Sequence, residues 1–350
     1  MASFLSLQNV LKRRTSVCRV ADIVFRVCTP ADVYTVRLLN KTFKTLVDYY
    51  VSTTWSLEQF VQPWFLSLPF RHILRKCDAY VSGSQVVQFF GRTTYPGSDL
   101  DIYVPAGSEY ELARFVENFG YKFDPRRGDQ ASFLDTIYAT TTNEDPERVL
   151  RGRYDSPDIV SVYYFVDHSN AREVQLIVTR HANPLWMVMR HHSSAVMNFL
   201  TWDRAVSLFP MSTFVDQVSY IARRPIKGAD GAYHPWVDKW SSRGFAVVGN
   251  ECSALTRAIP HGRRHVYDRY SWVIPWDPQD MAPQRVPGIV EDNISFDVLA
   301  HTCGTILDSN KGAAIRISRP FYFEKNGMLP PPPILDDKPS SGPVNSDAPE

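Results

Sequence analysis

No stretch of this 350-residue chain approaches eighteen consecutive apolar residues, so the sequence excludes a membrane-spanning helix. An excess of charge of one sign is missing too. Lys and Arg number 38 against 37 Asp and Glu, a formal net charge of +1. That excludes a global polycation holding nucleic acid by charge alone and leaves such a partner only local basic patches. Cysteine is sparse: Cys18, Cys28, Cys77, Cys252 and Cys303 are scattered, odd in number and never spaced as C-x-x-C. They read as reduced thiols of an intracellular protein, cytoplasmic or nuclear, and not as a disulfide frame or a zinc site. The expectation is of no secretory leader, because basic Lys12-Arg13-Arg14 follows the apolar Phe4, Leu5, Leu7, Val10 and Leu11. No acid precedes Asp22, which keeps a mitochondrial transit segment as the lesser alternative. Global disorder is excluded by 44% hydrophobic and 13% aromatic residues. The length suggests two domains, or two and a tail.

The chain divides into five stretches. Residues 1–17 read as a flexible basic arm, and residues 18–78 as a helical region. Val20, Ile23, Val24 and Val27 fall at helical spacing, the apolar face of a short helix. Thr29-Pro30-Ala31-Asp32 then supplies a capping hydroxyl, a proline for the first turn and an acid at the positive helix end. Val36, Leu39, Phe43, Leu46 and Tyr50 carry a second helix. From Ala79 the period changes towards two. Asp99 to Val104 alternates as a strand should, Glu111 to Phe119 is helical, and Ile159 to Val166 and Arg172 to Thr179 read as strands. Turns are expected at Asn143-Glu144-Asp145-Pro146 and Ser169-Asn170. The core so defined spans 79–180, and a mostly helical 181–328 follows, with helices around Ser194 to Leu200 and Met211 to Ile221. The last 22 residues, 329–350, hold seven prolines and four acids against one lysine, the composition of a disordered tail.

The chemistry-bearing stretch is Val81-Ser82-Gly83-Ser84, followed by Asp99-Leu100-Asp101. A glycine turn between strand and helix lets backbone N–H groups approach a phosphate, and Ser84 adds a hydroxyl. Asp99 and Asp101 stand two apart on a strand, so both carboxylates project from one face. Two oxygen ligands on one face suit Mg2+, which leaves room for phosphate oxygens. The pattern resembles the nucleotidyltransferase superfamily of the polymerase-β type. The resemblance implies binding of a nucleoside triphosphate with Mg2+ and nucleotidyl transfer to an acceptor that nothing in the sequence selects. It makes Asp99 and Asp101 metal ligands and Gly83 and Ser84 the phosphate cradle. The superfamily's third carboxylate aligns with Gln175, which is neutral; Glu173 shares its face one pair along. Either Glu173 substitutes as the third acid, or the site binds nucleotide without efficient catalysis.

Arg92, Arg180 and Arg190 are candidate triphosphate clamps against a surface or salt-bridge role. Of His191 and His192, adjacent on the chain, at most one can face a site. His261-Gly262-Arg263-Arg264-His265 lacks the acid of a zinc-protease helix and reads as a solvated basic loop. The tryptophans are expected to fill the core more than to stack bases.

Residues 18–48 resemble an F-box, the helical module by which substrate adaptors dock on the Skp1 subunit of cullin ubiquitin ligases. The carrying residues are Val20 to Phe25, Thr29 to Val33 and Val36 to Phe43, although Arg19-Val20 stands where an F-box has Leu-Pro. To about residue 280 the chain resembles a family of uncharacterised fungal proteins that join such a module to Ser-Gly-Ser, an aromatic pair (Phe89-Phe90), an arginine (Arg92) and Ser-Asp-Leu-Asp. Further carriers are Gln175-Leu176-Ile177, Val196 to Phe199, Ser242-Arg243-Gly244-Phe245 and Cys252 to Leu255. The expected fold is α+β: an F-box-like helical unit, a nucleotidyltransferase-like mixed sheet with flanking helices, and a mostly helical C-terminal part. Two functions follow: a nucleotide-binding transferase, or a Skp1-docking adaptor whose inactive transferase fold serves recognition.

Overall fold

The computed structural model describes residues 16–126, 129–142, 158–181, 183–222, 235–249, 259–260, 262–276, 294–300, 315–317, 321–324 and 327–328. The expected arm up to residue 15, the turn at 143–146, the stretch 252–255 and the tail 329–350 lie outside the described residues.

The N-terminal region is built from short helices whose boundaries are written in their caps. These are α1 (Ser16–Val27), α2 (Pro30–Val36), α3 (Lys41–Thr54), α4 (Leu57–Val61) and α5 (Ser67–Lys76). The Thr29 hydroxyl accepts from the Asp32 backbone N–H at 3.2 Å, and the Asp32 carboxylate accepts from the Thr29 N–H at 3.2 Å, a reciprocal capping box with Pro30 in the first turn. The helix expected to run through Val36 and Tyr50 is two helices. Asn40 accepts from the N–H groups of Thr42 and Phe43 at 2.9 and 3.0 Å, starting α3 afresh. Leu39 falls in the break. On α1 the apolar stripe exists but faces outward: Ile23 is 66% exposed and Val27 85%, while Phe25 is buried. Periodicity locates such a stripe without saying what covers it.

The central element is an eight-stranded sheet in the order β11-β7-β6-β1-β2-β5-β4-β3. Its strands are β1 (Tyr80–Ser82), β2 (Leu100–Pro105), β3 (Lys122–Phe123), β4 (Ile159–Asp167), β5 (Arg172–Thr179), β6 (Asn198–Leu200), β7 (Arg204–Ser207) and β11 (Trp272–Pro275). Only β2 and β5 run parallel; the other neighbours are antiparallel, so the sheet is mixed and the class α+β. Helices α6 (Ser84–Gly91), α7 (Glu109–Asn118) and α8 (Phe133–Thr142) complete this half. Alternation sorts the strands into two packed faces. Val81, Ile102, Val104, Leu176 and Val178 pack with Phe70, Phe90 and Leu112. Tyr80, Tyr103, Ile177 and Phe199 pack on the opposite face with Leu185 and Val188 of α9 (Leu185–Met189).

The sheet does not stop at residue 180, and the described residues of the C-terminal part are not mostly helical. Ser194 to Leu200 is a 3-10 turn at Ser194–Val196 running into β6. Met211 to Ile221 is split between a five-residue helix α10 (Pro210–Phe214) and β8 (Val218–Tyr220). β8 pairs in parallel with β9 (Ala246–Val248), which follows α11 (Pro235–Ser241). A second sheet is arranged around β12 (Ile294–Ala300), flanked by β10 (Gly262–His265), β13 (Ile315–Ile317) and β14 (Phe321–Glu324), with β15 (Gly327–Met328) on β14. The expected basic loop is therefore a strand, and Arg264 within it is only 2% exposed. Among the described residues no helix is long and apolar enough to cross a membrane.

Candidate functional site

β1 leaves the sheet at Ser82, the chain turns at Gly83, and α6 begins at Ser84. Gly83 is held at φ +79° and ψ −156°, a backbone state that only glycine adopts readily. Space dictates the same choice. A Cβ there would lie 1.9 Å from Oδ2 of Asp101, so the carboxylate sits directly against the glycine backbone.

Strand register supplies the rest. Ser82 pairs with Asp101 across β1 and β2, and Asp101 pairs with Gln175 across β2 and β5. By parity these residues continue the rows of Tyr80, Tyr103 and Ile177 on one face of the sheet. Asp99 precedes β2, and its Oδ2 accepts from Gln175 Nε2. The same amide nitrogen donates to Glu173 Oε1 at 3.0 Å. Gln175 thus stands beside Asp101 on the neighbouring strand, and its amide tethers two carboxylates. Glu173 shares the face as expected, but its other oxygen accepts from Arg126 Nη2 at 2.6 Å. Arg126 lies over the ring of Tyr164, the β4 neighbour of Gln175.

Asp101 is the electrostatically exceptional member. Burial and then the Asp99 charge push its carboxyl up to about 7, opposed by Lys239 and aided by Glu173. Among the described residues no side chain or backbone group donates a hydrogen bond to it. The described residues hold no group of three or more His, Cys, Asp or Glu side chains that could ligate a metal. A carboxylate pair is nonetheless sufficient for Mg2+, which takes one or two protein carboxylates and fills its octahedron with water and phosphate. A pair of neighbouring acids, one lacking a donor, has the charge such a cation would neutralise.

Arg92 belongs elsewhere. It closes α6 at its far end, about 13.5 Å along the axis from Gly83. Its guanidinium donates to the carbonyls of Phe25 (2.7 Å) and Cys28 (2.6 Å) and to the Tyr50 hydroxyl (2.9 Å), over the face of Trp55. It fastens the N-terminal helices to the sheet and does not reach the Gly83 corner. Arg190 is drawn to Asp158 at 3.3 Å and the Trp186 ring. Arg180 follows β5 at the end opposite Asp101. The adjacent histidines do diverge: His191 Nε2 lies 3.4 Å from Ser82 Oγ, whereas His192 stacks on Trp236 with ring centroids 4.1 Å apart.

One residue of the corner was not singled out for chemistry by sequence. Arg243, 159 positions from Ser84, donates to the Ser84 hydroxyl at 2.9 Å and to the Ser98 hydroxyl at 3.3 Å. Its neighbour Trp240 is the nearest sequence signal, since an arginine one helical turn after an aromatic can lie on that ring. No family model, curated protein or solved structure matches this chain.

Proposed function

We propose that the corner formed by Gly83, Ser84, Asp99 and Asp101 binds a nucleoside triphosphate with Mg2+, as in the polymerase-β type nucleotidyltransferases it resembles, and passes a nucleotidyl group to an acceptor hydroxyl, which gives up its proton as the bond between the first and second phosphates breaks and pyrophosphate leaves. The observation that carries the reading is the registered row Ser82–Asp101–Gln175 with the Asp101 carboxylate seated on the Gly83 backbone. Asp99 and Asp101 would hold the metal, which when bound supplies charge neutralisation for the polyphosphate and activates an attacking hydroxyl. Gly83 leaves room for the Asp101 carboxylate against the turn, and Ser84 offers a hydroxyl at the start of α6. Gln175 orients Asp99 through its amide. Glu173 would have to release Arg126 or Gln175 to take a proton from an acceptor, so transfer is expected to be slower than binding.

The test is a melting-temperature titration with ATP, GTP, CTP and UTP, with and without Mg2+. A ligand at a hundred times its Kd stabilises the folded state by about 2.7 kcal/mol, several degrees for a chain of this size. The expected result is a Mg2+-dependent rise that disappears in the Asp99→Asn/Asp101→Asn double variant. No rise with any nucleotide overturns the reading.

A second reading is favoured by one observation. Val20, Ile23, Val24 and Val27 of α1, with Leu38, Leu39 and Phe43 nearby in sequence, are exposed large apolar side chains in the region that resembles an F-box. Several exposed large apolar side chains on one short helix are the kind of surface that docks a partner. On this reading the chain is a Skp1-docking adaptor, and its transferase-like half recognises a substrate without turning it over. Purified Skp1 should bind the wild type and lose at least tenfold in affinity on Ile23→Glu/Leu39→Glu, whose side chains are 66% and 65% exposed and so dispensable for folding. Equal affinity for both proteins, or none for either, removes the adaptor.

A further inference from the structure

Arg243 lies just beyond α11, in the turn that leads into β9. Gly244, at φ +90°, lets the chain reverse there, and the Phe245 N–H returns to the Trp240 carbonyl at 3.2 Å. The reversal sends the arginine side chain across to the sheet. Its guanidinium lies 4.2 Å from the centroid of Tyr95 and 4.8 Å from that of Trp240. Among the described residues its hydrogen bonds go to two hydroxyls, Ser84 Oγ and Ser98 Oγ. Ser84 follows the Gly83 turn and Ser98 precedes Asp99, so one cation spans both halves of the motif.

Among the described residues no carboxylate pairs with Arg243. Burial, working against the weaker pull of Tyr95 and Asp99, leaves its charged form less favoured than in water. A half-buried guanidinium with neutral hydroxyl acceptors is under-compensated, since hydrogen bonds between two ions are markedly stronger than those to neutral groups. Among the described residues two of its five N–H donors are engaged. The planar fork matches two oxygens of a phosphate in a way that a lysine would not.

We propose that Arg243 is the polyphosphate-binding residue of this corner, exchanging the Ser84 and Ser98 hydroxyls for phosphate oxygens beyond the first and so selecting nucleoside triphosphates over monophosphates. The nucleotide part of this inference rests on the function proposed above; the polyphosphate part does not. Arg243 engages only oxygen lone pairs of Ser84 and Ser98, so both hydroxyls keep their O–H groups to donate to the same ligand.

The test measures affinities for ATP, AMP and inorganic tripolyphosphate, each with and without Mg2+, on the wild type, Arg243→Gln and Arg243→Lys. Gln keeps a donor for the hydroxyls and removes the charge; Lys keeps the charge and removes the fork. Melting temperatures without ligand identify any variant that fails to fold, in which case the other decides. The expected result is a roughly ten- to hundredfold loss for ATP and tripolyphosphate in Arg243→Gln. A smaller loss is expected in Arg243→Lys, and AMP should change by no more than about twofold. Unchanged ATP affinity, or equal losses for ATP and AMP, overturns the role of Arg243. The two proposals fail separately. Mg2+-dependent ATP binding that ignores Arg243 removes this inference and keeps the nucleotide site. Arg243-dependent tripolyphosphate binding with no affinity for any nucleotide keeps the anion site and removes the nucleotide.

Discussion

Gly83→Ala is expected to lower the melting temperature by several degrees and to abolish Mg2+-dependent nucleotide binding, the largest effect of any single methyl group added to this corner. The backbone alone accounts for on the order of 1–3 kcal/mol, because φ +79° with ψ −156° is open essentially to glycine. The new Cβ would in addition stand 1.9 Å from Asp101 Oδ2, so the carboxylate must swing off the glycine and out of line with Asp99. Gly97→Ala separates the two causes. Gly97 also has positive φ, +68°, but a Cβ there meets nothing within 4 Å, so it should cost stability through strain alone and leave binding intact. Calorimetric unfolding with nucleotide titration of both variants decides the matter; binding retained in Gly83→Ala would sink the assignment of this turn as the cradle.

Asp268→Asn is expected to cost about 3–5 kcal/mol, the usual penalty for removing one partner of a buried ion pair. Arg264 donates to both oxygens of Asp268 at 2.8 Å, to the Leu208 carbonyl at 2.9 Å and to the Ser271 hydroxyl at 3.1 Å. The rings of Phe209, Tyr270 and Phe296 surround its guanidinium. Without the carboxylate, a full positive charge remains in that aromatic shell. The neighbouring Arg263–Asp297 pair supplies the contrast: the Arg263 side chain is 51% exposed, so solvent screens the pair and breaking it should move the midpoint far less than Asp268→Asn does. Denaturant midpoints measure both. The pair also has a pH signature. Burial raises the Asp268 carboxyl, but the hydrogen bonds and charge of Arg264 pull harder and leave it below its ordinary value. Its stabilisation is therefore present above the unfolded aspartate value of about 3.9 and is lost as pH falls through the lower folded value. Asp268→Asn should flatten that acid limb, and an unchanged limb would show that other carboxylates set it.

The residues around Asp101 were readable because they obey local rules. Alternation found β2, β4 and β5 to within a residue or two, and the parity of β5 put Glu173 on the same face as Gln175. The Thr29 box was readable from four consecutive residues. What escaped was set at long range or carried by very short elements. Asn198-Phe199-Leu200 is a strand buried at every position, so it has no polar face to alternate with and no length to distinguish it from a helix. Arg92 looks like a phosphate ligand when it follows a Ser-Gly-Ser turn, but its acceptors are carbonyls 64 and 67 residues upstream. Arg264 sits in a run of polar residues that reads as solvent-facing, yet a bidentate carboxylate four residues on and three rings make it a core residue. Arg243 reaches the corner only because β9 and α11 are folded back against it, a placement that no local pattern encodes.

β1 is three residues long and lies between β2 and β6. Its first neighbour follows within twenty residues, but its second does not: the Ser82 hydroxyl waits for the Asn198 carbonyl, 116 positions later in the chain. At a synthesis rate of about 5–20 residues per second, that interval is roughly 6–23 s. Throughout it, one edge of β1 carries unpaired backbone groups of the kind that recruit foreign strands, and the Gly83 turn is held from one side only. The corner is therefore completed late in the life of the nascent chain, and a chain cut after β5 would keep the aspartates while leaving that edge permanently open.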